Sequence, residues 1–311
     1  MCELYDVIIL GGGPAGLAAG IYAGRSRLKT LLLEKGAPGG QIALSADVAN
    51  YPGRLLEGET GVTLANRMAA QCDAFGVERK TDTVRAVDLA GEVKRLTGSG
   101  GEYRGKTVIL ATGASPRPIG CENEQDFIGK GISYCATCDG AFFRGLDVYV
   151  AGGGDSAVEE AIFLTRFARK VTIIHRRDAL RAARSIQEKA FADPKIDFLW
   201  DSVVERVDGR DLLDTLIVRN TRTGERTTIQ ASAADGLLGL FGFIGHTPNT
   251  ELFRGQLELK DGYVPTDEDM RTNIPGVFAA GDVRVKSLRQ VITAAADGAI
   301  AAVQAEKYLA E

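Results

Sequence analysis

Early in the chain an apolar run, Asp6-Val-Ile-Ile-Leu10, gives way to a glycine cluster, Gly11-Gly12-Gly13-Pro14-Ala15-Gly16. Leu17 to Arg27 then carries apolar positions at helical spacing, and a second apolar run follows, Thr30-Leu-Leu-Leu-Glu34. That order predicts strand, turn, amphipathic helix and strand, both strands lying in a parallel sheet. Residues 147–177 repeat it: Asp147-Val-Tyr-Val-Ala151, Gly152-Gly-Gly-Asp-Ser-Ala157, an amphipathic stretch from Val158 to Arg169, then Val171-Thr-Ile-Ile-His175-Arg176-Arg177. Near the end, Gly276-Val-Phe-Ala-Ala-Gly281-Asp282 predicts a short strand closed by a turn. Ser287 to Glu311 predicts a long helix, and the apolar, glycine-rich stretch Leu237–Phe243 a strand.

The two copies agree in register. Glu34 lies 23 positions after Gly11, and His175 lies 23 after Gly152. Gly11, Gly13 and Gly16, and then Gly152, Gly154 and Ala157, fit G-x-G-x-x-G/A. The first position permits a tight turn, the second lets backbone approach a pyrophosphate, and the third lets helix and strand pack closely. Free N–H groups at the helix start then face the phosphates. The second strands end with opposite charge. The Glu34 carboxylate accepts from ribose hydroxyls and repels a 2′-phosphate, so the first copy is expected to hold FAD or NAD. His175, Arg176 and Arg177, with Arg181 about one helical turn on, are donors for a 2′-phosphate, so the second is expected to hold NADPH. Two dinucleotides in one chain suggest hydride passing from NADPH to a flavin. Asp282 is placed to bind ribityl hydroxyls. Arg289 and Gln290, at the start of the last helix, are placed where its positive end favours a reduced, anionic flavin.

Composition narrows the class without changing it. The chain has 311 residues with a formal net charge of −4, which argues against nucleic acid as a partner. No apolar stretch approaches the ~20 residues of a membrane span, and the N-terminus carries no signal-peptide pattern. Its 38 glycines exceed the ordinary share of about 7% and cluster at Gly11–Gly13, Gly39–Gly40 and Gly152–Gly154. Five cysteines at irregular spacing make no disulfide framework, which places the chain in the reducing cytoplasm.

The chemistry centres on Cys135-Ala-Thr-Cys138. Zinc needs two further ligands, and neither the remaining cysteines (Cys2, Cys72, Cys121) nor the histidines (His175, His246) form a second pair. A redox disulfide is the better reading. Its reduction needs a proton for the leaving thiolate. No histidine follows His246, so Asp139, beside Cys138, is assigned as the acid and base, which requires burial to raise its pKa.

Cys135-Ala-Thr-Cys138-Asp139-Gly140, Gly152–Ala157, His175-Arg-Arg-Asp178, Gly245-His-Thr-Pro-Asn249, Ala280-Gly-Asp282 and Arg289-Gln290 together resemble the low-molecular-weight NADPH-dependent thioredoxin reductases, over essentially the whole chain. Asp155-Ser156 stands where many of that family carry Asn-Thr. The resemblance implies an α/β fold of two Rossmann-like, three-layer ββα dinucleotide-binding domains. An NADPH domain (117–246) is inserted into an FAD domain split between 1–116 and 247–311. It implies FAD contacts at Gly11, Gly13, Pro14, Ala15, Gly16, Glu34 and Lys35, at Gly39, Gly40, Gln41, Asn50 and Val84, at Ala111, Thr112 and Gly113, and at Gly281, Asp282, Arg289, Gln290 and Val291. NADPH contacts are implied at Gly152, Gly154, Asp155, Ser156, Ala157, His175, Arg176, Arg177 and Arg181. The resemblance also implies a homodimer in which Cys138 lies next to the flavin and Cys135 attacks thioredoxin. Phe142, Phe143 and Lys130 would dock that partner, with helix packing as the other reading of the two phenylalanines. The insert is expected to turn on its two connections, near Gly113–Pro118 and Gly242–Pro248.

Overall fold

A computed structural model describes residues 3–44, 48, 50–55 and 57–311. Cys2 lies outside the described residues. The chain divides into an outer unit, residues 1–115 with 247–311, and an inserted unit, residues 116–246.

In the outer unit the strand Leu4–Leu10 pairs in parallel with Thr30–Glu34 on one side and with Gly101–Leu110 on the other. Glu78–Thr81 extends the first flank, and Val277–Ala279 joins Gly101–Leu110 in parallel. Lys94–Gly98 and Val84–Asp88 continue antiparallel from the near half of Gly101–Leu110. Side chains along a strand alternate between faces. Val7, Ile9, Leu32, Ile109 and Phe278 therefore pack under helices Pro14–Arg25, Gly61–Ala74 and Val291–Ala310. Ile8, Leu10, Leu31, Leu33, Val108 and Leu110 pack with Val84, Leu96 and Phe253 on the opposite face. The last helix begins at Val291, four residues later than the pattern predicts, because Gln290 caps it in a reciprocal pair with Thr293.

Helices Pro14–Arg25 and Val291–Ala310 approach closely at Gly298, where a Cβ would lie 2.0 Å from the Ala15 carbonyl oxygen. Gly298→Ala is expected to destabilise the outer unit by about 1–3 kcal/mol. Thermal unfolding should show this as a drop of about 2–4 °C per kcal/mol.

The inserted unit repeats the three layers. Its parallel sheet runs Ile196–Leu199, Lys170–Ile174, Asp147–Ala151, Gly239–Gly242, Ile132–Ser133. Val148, Val150, Val171 and Ile173 face helix Asp155–Leu164, while Ala151, Ile174 and Leu240 face the antiparallel strands Ser202–Asp208 and Thr215–Asn220. Gly239 and Gly242 lie in a fully buried strand rather than a loose segment. A Cβ at the first would meet the Phe143 ring at 2.7 Å, and at the second the Tyr134 ring at 2.6 Å. Those aromatic neighbours account for glycine in an apolar strand. Trp200 stacks on Phe198 with ring centroids 4.9 Å apart. No helix among the described residues is long and apolar enough to cross a membrane.

Candidate functional site

Each unit carries a glycine turn between its first strand and first helix. In the outer unit Gly11 has φ +111°, and a Cβ there would lie 2.3 Å from the Ala111 carbonyl oxygen. A Cβ at Gly16 would lie 1.8 Å from the Gly11 carbonyl oxygen. Gly13 is different. It precedes the helix in extended backbone, Pro14 opens the helix, and the nearest atom to a Cβ at Gly13 is 3.9 Å away. The helix start is therefore open where a phosphate would approach.

Glu34 accepts from the Gly12 amide at 2.6 Å and the Lys35 amide at 2.7 Å. It lines a cavity of about 300 Å³ with Gly12, Pro38, Arg79, Lys80 and Thr81. Gly39 donates to the Gly12 carbonyl at 2.8 Å, which holds Gly39, Gly40 and the exposed Gln41 beside the turn. Ala111 donates to Leu10 at 2.8 Å, and Thr112 Oγ1 donates to the Asn249 carbonyl at 2.8 Å. Gly113 has φ +68°. Val84 is buried in the layer behind the parallel sheet.

Gly281, at φ +78°, would place a Cβ 2.8 Å from that of Ala15, so the Gly281–Asp282 turn lies against the first glycine turn. Asp282 Oδ1 is buried with no hydrogen-bond partner among the described residues, and burial pushes its carboxyl pKa up. Arg289 stacks on the Tyr263 ring at 4.5 Å, and its Nε is likewise buried and unpartnered. Asn50 Nδ2 donates to Gln290 Oε1 at 3.1 Å, and Val291 follows as the first helical residue. An open glycine cradle, a ribose-type carboxylate and two buried polar atoms awaiting partners fit a flavin nucleotide.

In the inserted unit Gly152 has φ +152°, and a Cβ there would meet the Ala157 Cβ at 2.6 Å. Gly154 caps helix Asp155–Leu164 and is open, with only Arg181 Nη2, at 4.0 Å, near a Cβ position. The Arg181 amide donates to the Gly153 carbonyl at 2.7 Å. Asp155 Oδ1 accepts from the Ala183 amide at 2.7 Å, tying the turn to the arginine loop, and Ser156 is exposed beside it. Arg176, Arg177 and Arg181 are exposed, and no carboxylate pairs with them among the described residues. His175 departs from the expectation of a donor beside the arginines. It is 4% exposed, and its ring lies under the turn, where a Cβ at Gly153 would meet Nδ1 at 2.2 Å. Burial, with Arg181 next, lowers its pKa, so the imidazole is neutral near pH 7, and its Nε2 is buried with no hydrogen-bond partner among the described residues.

Cys135 and Cys138 are disulfide-bonded, with Cα atoms 5.3 Å apart. Cys135 precedes a single helical turn, Ala136–Asp139, in extended backbone, and both cysteines are partly exposed. Ser133 organises the site. Its hydroxyl donates to Asp139 Oδ2 at 2.6 Å and accepts from the Cys135 amide at 3.1 Å. The sequence does not single out Ser133. Its only signal is a hydroxyl two residues before the first cysteine. Phe142 is 50% exposed and Lys130 is exposed. Phe143 does not share that face. It is 6% exposed and meets Phe241 edge-on at 5.1 Å, which corrects its assignment as a docking residue to a core residue.

The chain matches the pyridine nucleotide-disulphide oxidoreductase family over residues 5–298. It is 55% identical over 312 residues to a thioredoxin reductase of Peptoclostridium litorale, covering 100% of this chain and 99% of the relative. It is 43% identical to a thioredoxin reductase of Bacillus subtilis, covering 99% and 96%. The crystal structure of thioredoxin reductase from Streptococcus pyogenes superposes with a TM-score of 0.90 at 44% identity, covering 100% of this chain and 99% of that one. With its paired glycine turns and its cysteine disulfide, the chain belongs to the pyridine nucleotide-disulphide oxidoreductases and, within them, to the thioredoxin reductases, which are flavin-dependent disulfide oxidoreductases.

Proposed function

We propose that the protein uses NADPH and FAD to reduce the disulfide of thioredoxin, with the outer unit as the FAD domain and the inserted unit as the NADPH domain. The observation that carries this reading is the Cys135–Cys138 disulfide, whose Cys135 amide is linked through the Ser133 hydroxyl to Asp139, in a unit whose own glycine turn has Arg181 beside Gly154 and the exposed Arg176 and Arg177 after the next strand, with no carboxylate pairing with them among the described residues. Bound in the outer unit, FAD supplies the two-electron relay between nicotinamide and disulfide. Arg176, Arg177 and Arg181 hold the 2′-phosphate, and the Gly152–Ala157 turn holds the pyrophosphate.

Once reduced, Cys135 attacks a sulfur of the partner disulfide as a thiolate, forming a mixed disulfide and releasing the partner's other sulfur. Cys138 then attacks Cys135, restoring the intramolecular disulfide and freeing the second partner sulfur. Asp139 supplies the proton that a leaving thiolate takes up, and Ser133 holds its carboxyl in place. Asp139→Asn is expected to slow thioredoxin reduction by about 10²–10⁴-fold while flavin content stays unchanged. A single-turnover measurement of thiol appearance checks this.

The inserted unit turns on its two crossings to expose nicotinamide and disulfide in alternation, and Phe142 with Lys130 meets thioredoxin. The working form is a homodimer. Exposed Tyr22, Ile292, Ile300 and Tyr308 on the two packed helices of the outer unit support it. The unpaired buried thiols Cys72 and Cys121 suit the reducing cytoplasm. The deciding experiment is expression with FAD, followed by an NADPH-driven thioredoxin assay. A yellow protein that reduces thioredoxin supports the reading, and a colourless protein without turnover overturns it.

A further inference from the structure

A nearly dry cluster of charges lies under the Gly281–Val283 turn. Asp297, on the last helix, is 7% exposed. It accepts from Arg284 Nη1 at 2.9 Å, from Lys286 Nζ at 2.8 Å and from the Gly281 amide at 3.0 Å. Arg284 Nε is held in turn by Thr266 Oγ1 at 2.7 Å. The three charged side chains are only 10–12% exposed.

The cluster sits where two distant pieces of the chain meet. Gly298, next to Asp297, lies against the Ala15 carbonyl, and Gly281 lies against the Ala15 Cβ. Ala15 belongs to the first glycine turn, and Gly281 and Asp282 to the turn that would meet the ribityl chain. Asp297 therefore joins both halves of the flavin site. A neutral acceptor would satisfy the Gly281 amide without the desolvation that three buried charges incur. The charges themselves call for a role. Arg284, Lys286 and Asp297 sum to one net positive charge, facing the buried Asp282 carboxyl whose pKa burial raises, and in low dielectric a charge acts over a longer range than at the surface.

We infer that Asp297 is a positioning residue for the flavin and that the Asp297–Lys286–Arg284 cluster sets the flavin reduction potential through its net charge. This rests on the reading of the outer unit as the flavin domain. Asp297→Asn leaves an acceptor for Gly281 but removes a negative charge, which favours the more negative, reduced flavin. Lys286→Met removes a positive charge and acts in the opposite sense.

The test is the midpoint potential of the bound FAD in wild type, Asp297→Asn, Lys286→Met and the double variant, equilibrated anaerobically with reference dyes. The expected result is an upward shift for Asp297→Asn, the affinity for reduced over oxidised flavin rising about tenfold, or about 30 mV for a two-electron couple. Lys286→Met shifts it down by a similar amount, and the double variant returns close to wild type. Loosened packing alone moves both single variants the same way, and that result, or no shift in either, overturns the inference. Should Asp297→Asn not fold, Lys286→Met decides, an unchanged potential overturning the inference. A wild-type protein that binds no flavin fails the reading of the site itself, and is distinguished because it shows before any variant is measured.

Discussion

Cys138→Ser abolishes thioredoxin reduction, by at least about 10³-fold, while NADPH still binds and still bleaches the yellow colour of the protein. The expectation follows from the separation of the two chemistries in the fold. The glycine turn at Gly152–Ala157 and the disulfide at Cys135–Cys138 belong to different loops of the inserted unit, and among the described residues the hydrogen bonds of the glycine turn to other segments go to Ile174, Arg181 and Ala183 rather than to either cysteine. A serine at 138 keeps the volume and the helical turn but leaves Cys135 without a partner, so electrons reach no thiol couple. Stopped-flow absorbance reads the flavin, and a thiol assay reads thioredoxin. Reduction of thioredoxin at the wild-type rate by the variant would mean that electrons leave by another route.

Substituting Arg176, Arg177 and Arg181 by glutamine lowers kcat/KM for NADPH by about 10- to 100-fold per arginine, because a hydrogen bond to a charged group contributes about 1.5–3 kcal/mol. The rate with NADH stays close to its starting value, since NADH has no 2′-phosphate to lose contact with. The effect is largest at Arg181, whose amide is anchored to Gly153 and whose guanidinium lies over Gly154. His175→Asn behaves differently. It changes the packing under Gly153 and lowers thermal stability, leaving the preference for NADPH over NADH intact. Parallel steady-state measurements with both nucleotides separate the two effects, and equal losses with NADPH and NADH in the arginine variants would remove the 2′-phosphate assignment.

What the sequence disclosed was local. Glycines at fixed offsets after an apolar run, a carboxylate or arginines at the next strand end, and cysteines three apart each carry their chemistry within a few residues. Side chains that depend on distant partners were not legible in that way. His175 reads as a phosphate donor until the buried turn above it is seen. Phe143 reads as half of an exposed aromatic pair until Phe241 and Gly239 are placed beside it. The stretch around Gly239 and Gly242 reads as a strand without a reason for its glycines, which the rings of Phe143 and Tyr134 supply. The charged trio at Asp297 joins residues 284, 286 and 297 through a fold that no periodicity announces. Ser133 has only its place two residues before Cys135.

The two chain crossings run side by side. Within the inserted unit the Arg117 amide donates to the Gly245 carbonyl at 2.9 Å, and within the outer unit the Asn249 amide donates to Gly113 at 3.0 Å. Neighbouring ends make the insert a removable cassette. A gene lacking residues 116–246, closed by a tight two-residue turn, should yield a self-sufficient flavin carrier, and the excised piece should accept a peptide bond between its own ends. Chimaeras exchanging this cassette among relatives then become a practical way to graft one coenzyme preference onto another scaffold.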